Sequence, residues 1–211
     1  MEERSTRIKE FEKDLRDQLL NSLIQAQGLI NGGMKVLARL EKHVNEEVTM
    51  KRLEHVFGET PRNGRIWPDY VILHHSTTRD GATVSWGAIR NYHVRHLGWQ
   101  DIGYHAGIEE IGGHVEILIG RIPGEIGAHC LSQAMNRRSV GVCVVGNFDV
   151  NPVPEPKWQA ALELTAWLCR VYRIDPENVL GHREVARDGR TCPGDQFDMP
   201  RFRQELSACG V

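Results

Sequence analysis

The chain has 211 residues, of which 40% are hydrophobic and 26% charged, with a formal net charge of −2. That length fits one globular domain plus an accessory segment, and the near-neutral balance excludes a protein held on nucleic acid or on an anionic polymer by bulk charge. Five cysteines, an odd number thinly spread, do not make a disulfide framework. No run of about 18 apolar residues occurs, so no membrane insertion is expected. The opening MEERSTRIKEFEKDLRD is densely charged and lacks the apolar core of a signal peptide. Together with the cysteine usage this leads us to expect synthesis in a reducing cytoplasm.

Residues 1–60 read as a helical accessory segment, a hairpin or coiled-coil-like. Ile8, Phe11, Leu15, Leu19 and Leu23 recur at spacings of three or four, which puts them on one helical face. Asn31-Gly32-Gly33 interrupts the pattern. A second stripe follows at Met34, Leu37, Val44 and Val48, with Glu41 as a polar break. Two helices joined at the glycines, or one bent helix, both fit. The stripe needs a cover: the domain that follows, a second copy of the chain (a homo-oligomer), or a virion or other assembly on which the segment docks. Gly58 to Arg65, GETPRNGR, is a turn-rich linker.

Residues 61–211 alternate between strand and helix signals. Tyr70 to His74 is a short apolar run that predicts a buried strand. Val84 to Leu97 predicts a helix. Gly103 to Ile108 and His114 to Ile119 predict a hairpin across the Gly112-Gly113 turn. Val140 to Val145, VGVCVV, gives the strongest strand signal. Pro156 to Tyr172 predicts a long helix with Trp158, Ala161, Leu162, Thr165, Leu168 and Cys169 on its apolar face. Asn178 to Leu180 predicts a short strand leading into Gly181-His182, and Pro200 to Leu206 a final helix with Asp198 as N-cap. This order predicts an α/β domain with a single central mixed β-sheet flanked by helices. Cys143 and Cys169 sit in apolar stretches as small buried hydrophobes.

Ten histidines is a high number for this length. His74 ends an apolar strand, His182 follows another, and Cys192 lies ten residues further on in TCPG. Two imidazoles and a thiolate are a zinc donor set, and three protein ligands leave a fourth position for water. No local spacing ties His74 to the other two, so a capping histidine, a turn histidine and a buried thiol describe the same residues equally well.

From about Trp67 to Phe202 the chain resembles a zinc amidase family. That family includes phage lysozyme-type N-acetylmuramoyl-L-alanine amidases, bacterial muropeptide-recycling amidases and peptidoglycan recognition proteins. Six blocks carry the resemblance, in the family's order: VILHHSTT, a helix ending before GW, DIGYHAGI, GAHC, NRRSVGVCVVGNF and GHREVARDGRTCPGDQFD. The resemblance implies zinc ligation by His74, His182 and Cys192, and hydrolysis of the amide between N-acetylmuramic acid and L-alanine by zinc-activated water. Tyr104 matches the family's active-site tyrosine. Arg190 stands where lysin-type members often carry Lys; it can stabilise an oxyanion but cannot shuttle a proton. His129, Asn136 and His105 are expected on the substrate side of the cleft, His129 touching peptide or relaying a proton, His105 backing the ligands.

Cys192, where recycling members tend to carry Asp, and Cys143, where they tend to carry a catalytic Glu, favour the phage-type lytic branch. The peptidoglycan or muropeptide substrate is the expected partner. A cytoplasmic recycling amidase and a non-catalytic peptidoglycan-binding module are the alternatives. His75 points away from His74 on an extended strand and is expected to be structural. His93, His96 and His114 are expected at the surface or in turns, and His43 and His55 have no evident role.

Overall fold

A computed structural model of the chain describes residues 66–78, 86–122, 124–186 and 188–211. The helical accessory segment expected over 1–60, with His43 and His55, lies outside the described residues, as does the GETPRNGR linker. Among the described residues no helix is long and apolar enough to cross a membrane.

Five strands form one mixed sheet: β1 (Tyr70–His75), β2 (Ala106–Ile111), β3 (His114–Ile119), β4 (Ser139–Val144) and β5 (Val179–Gly181), in the order β3-β2-β4-β1-β5. β1 runs parallel to both β4 and β5, β2 is parallel to β4, and β2 and β3 form the antiparallel hairpin. The glycines that turn the hairpin, Gly112 and Gly113, both have positive φ, at 60° and 84°.

Helices α1 (Trp86–Asn91), α2 (Glu155–Tyr172), α3 (His182–Val185) and α4 (Met199–Ala208) accompany the sheet. The helix expected to run on to Leu97 changes winding at Tyr92, continuing as a π-turn over Tyr92–His96. β2 starts three residues later than its apolar run suggests. Gly103 to His105 instead forms a loop, with the His105 amide donating to the Gly141 carbonyl at 2.9 Å. Asp198 caps α4, its carboxylate accepting from the Arg201 amide. All six residues expected on the apolar face of α2 are buried, as are Cys143 and Cys169.

Side chains alternate across a strand, and residues in parallel register share a face. Ile72, His74, Gly141 and Cys143 therefore occupy one face, and Val71, Leu73, His75, Val142 and Val144 the other. The first face is covered by two apolar clusters. One joins Ile72 to Cys130, Met135 and Val185; the other joins Cys143 to Trp86, Ile102 and Val145. α2 packs against β2, β3 and α4. Where α2 meets α4, the Phe202 ring lies 5.2 Å from Trp158 and 5.6 Å from Phe197.

Phe202 is fully buried in this aromatic group. Phe202→Ala is expected to cost about 3–5 kcal/mol, read as a lower urea midpoint at unchanged slope. A cost under about 1 kcal/mol would show that the group does not join α4 to the core.

Candidate metal centre

His74 is the fifth residue of β1 and His182 the first residue after β5. Leu73 pairs with Gly181, so the chain places the next residue of each strand side by side. The two rings lie 4.5 Å apart by centroid. Cys192 reaches the same point on a loop, its Sγ 3.5 Å from His74 Nδ1. One donor atom each from His74, His182 and Cys192 falls within 4.8 Å of the other two.

Arg183, beside His182, holds that loop. Its backbone amide donates to the Cys192 carbonyl at 2.6 Å. Its guanidinium donates to the carbonyls of Thr191 and Phe197, at 3.1 and 2.8 Å, and to that of Gly194. Glu184 holds the turn from the other side, accepting from the Gly181 amide at 2.6 Å and pairing with Arg203 at 3.0 Å. Sequence reading missed both residues. The only signal was that charged side chains flank His182 in GHREV.

Burial decides the protonation of the donors. Desolvation holds His74 well below the ordinary 6.5, reinforced by the neighbouring His129 and His182 rings. Burial lowers His182 to about 4, with the Arg190 charge adding to the effect. Burial pushes the Cys192 thiol up to about 12, opposed chiefly by the backbone N–H of His75. The imidazoles are thus neutral, as metal ligands must be, while the thiol gives up its proton only to a cation.

The other expected site residues divide into two groups. Tyr104 is half-buried, its ring 5.2 Å from His74 and stacked on Trp86. Burial, followed by the nearby Cys143 and Cys192 thiols, pushes its phenol well above the ordinary 10. It therefore remains a hydrogen-bond donor. Arg190 is exposed, and its Nε donates to both oxygens of Asp188 at 2.8 and 2.7 Å. Arg190 and Asp188 line a cavity of about 400 Å³ with His129, His182 and Asn136. Tyr104 lines a second hollow of about 380 Å³ with Thr77, Ile89 and His93.

His129, Asn136 and His105 each make hydrogen bonds within the protein, and His129 and Asn136 also line the cavity. His129 Nδ1 lies 3.1 Å from His74 Nε2. The Asn136 side-chain oxygen accepts from the His129 and Cys130 amides, both at 2.7 Å. His105 is fully buried; its Nδ1 accepts from the Gly141 amide at 2.9 Å, which leaves Nε2 to donate to the Glu125 carbonyl at 3.0 Å. His75 faces away from the donors, its Nδ1 accepting from the Phe148 amide at 3.3 Å. His96 and His114 are exposed as expected, but His93 is not. It is buried, stacks on Trp99 at 4.6 Å and accepts from the Gly103 amide at 3.1 Å. The π-turn rotates it inward, which a helical pattern does not foretell.

A family model described as N-acetylmuramoyl-L-alanine amidase matches residues 63–195. Peptidoglycan-recognition protein LB of Drosophila melanogaster is 36% identical over 155 residues, which is 70% of this chain and 60% of the fly protein. The endolysin of Escherichia phage T7 is 31% identical over 140 residues, covering 64% of this chain and 84% of the endolysin. Among solved structures, an endolysin N-acetylmuramoyl-L-alanine amidase, LysCS, from Clostridium intestinale superposes with a TM-score of 0.58 at 26% identity. That match covers 70% of this chain and 89% of the other.

Acid should weaken the metal-free fold. Desolvation lowers both His105 and His182 from 6.5 to about 4. Below pH 6.5 the unfolded chain therefore takes up protons that the folded chain refuses. The stability these residues contribute is complete above 6.5 and falls as the pH drops towards 4. Urea unfolding of metal-free protein should show a lower midpoint at about pH 5 than at about pH 7.5. A midpoint that does not fall would contradict the buried neutral state.

Proposed function

The chain belongs to the N-acetylmuramoyl-L-alanine amidase family, and from that premise we propose that it is a zinc-dependent peptidoglycan amidase of the lytic type. It hydrolyses the amide between N-acetylmuramic acid and L-alanine. The observation that carries the reading is the convergence of His74, His182 and Cys192, with one donor atom each inside 4.8 Å. Two neutral imidazoles and a thiol fit zinc by softness and number, and three ligands are the catalytic complement. When bound, zinc supplies a Lewis acid for the scissile carbonyl and lowers the pKa of water.

The chain's own groups do the rest. Tyr104, kept protonated by burial, donates to the oxygen on which negative charge develops. Arg190 adds positive charge at the cavity wall, offset by Asp188. Arg190 stays protonated throughout, so it stabilises charge and moves no proton. The cavity beside His182 takes the stem peptide. Cys192 and Cys143, in place of the Asp and Glu of recycling amidases, support action on the intact wall. The likeness to a phage endolysin supports the same reading.

Incubation of the purified full chain with sacculi should release new L-alanine amino groups, faster than from soluble anhydro-muropeptides. A chelator should abolish the release and Zn²⁺ restore it. Tyr104→Phe should lower kcat on the order of 100-fold with zinc content unchanged. No new amino groups from either substrate would sink the proposal. Faster turnover of the soluble substrate would replace the lytic role with recycling.

A further inference from the structure

We infer that His129 is a positioning residue for the metal centre: through its Nδ1 it holds His74 in the tautomer that leaves His74 Nδ1 free to ligate. The inference rests on the zinc reading above and adds to it a residue that makes no contact with the metal.

The geometry of His74 gives the direction of the hydrogen bond. Its Nδ1 faces Cys192 Sγ at 3.5 Å, so the lone pair offered to the cation is the one on Nδ1. A neutral imidazole carries one ring proton. With Nδ1 engaged, that proton sits on Nε2, which lies 3.1 Å from His129 Nδ1. His129 Nδ1 must therefore accept. The proton of the His129 ring is left on its buried Nε2, and the Ser139 backbone interacts with the ring in the sense that favours a proton on it.

His129 is itself held from several directions. Its backbone amide, with that of Cys130, donates to Asn136. Its ring lies on two glycines that admit no side chain. A Cβ at Gly141 would come within 2.5 Å of His129 Cγ and Cδ2, and one at Gly127 within 2.5 Å of Cδ2. His105, locked through both ring nitrogens, packs edge-on against it at 5.5 Å between centroids. Acceptors behind ligating histidines orient the ring and raise its basicity, and removing one typically costs 10- to 100-fold in metal affinity. His129 meets the structural conditions for that role: it is rigid, buried and on the non-ligating nitrogen of His74.

The test is zinc affinity, measured on the full chain by competition with a chromogenic chelator. His129→Leu fills the space without an acceptor and should weaken zinc binding roughly 10- to 100-fold. His129→Asn places an acceptor oxygen near the position of Nδ1 and should restore most of the loss. Long-range ¹H–¹⁵N spectra of the zinc-loaded wild-type chain should show the His74 proton on Nε2, a readout that depends on no variant. Equal zinc affinity in His129→Leu and wild type, or a His74 proton on Nδ1, would overturn the assignment while leaving the zinc reading intact. A wild-type chain that takes up no zinc would overturn both.

Discussion

The parallel register of β1 between β4 and β5 is the constraint on which the site depends. Leu73 opposite Gly181 makes His74 and His182 neighbours as the two strands end. His74 opposite Cys143 puts that thiol on the same face of the sheet. A slip of one residue in β1 would send His74 to the face that His75 now occupies and break the donor set. The ligand-bearing ends are thus fixed by the sheet itself, and side chains supported by rigid elements hold a metal geometry better than side chains on loops. Only Cys192 comes from a loop, and the four donations from Arg183 hold that loop against β5's exit.

Desolvation turns this placement into chemistry. The face that carries His74 is roofed by Trp86, Tyr104 and the Cys130–Met135 cluster. Little water reaches the imidazoles, so they stay neutral, and the thiol stays protonated until a cation displaces its proton. The same burial keeps the Tyr104 phenol a donor. Arg190 differs: it is exposed and its charge is shared with Asp188, so the field it adds at the cavity is screened by solvent as well as by its partner.

The sheet was legible in the sequence because it rests on local signals, and the donor trio because of the resemblance to a family. Apolar runs mark β1 and β4, the double glycine marks the hairpin, and His74, His182 and Cys192 lie in blocks whose order is that of a family. What was not legible joins residues far apart. The bond between His129 and His74 spans 55 positions, and no periodicity announces it. Asn136 could be placed beside the cleft, but not its oxygen on the backbone of its own loop. His93 sits in a segment that reads as ordinary amphipathic helix, and only the change to a π-turn at Tyr92 carries its ring inward. Arg183 reads as a solvated charge until its neighbours are known: the carbonyls of Thr191, Gly194 and Phe197.

The claim that all of this serves one metal ion is tested most directly by zinc-edge X-ray absorption on the full chain loaded with one equivalent of Zn²⁺. The account predicts one sulfur at about 2.3 Å and nitrogen or oxygen neighbours at about 2.0–2.1 Å, with the sulfur lost in Cys192→Ser. A spectrum without sulfur, or one unchanged by that substitution, would contradict it.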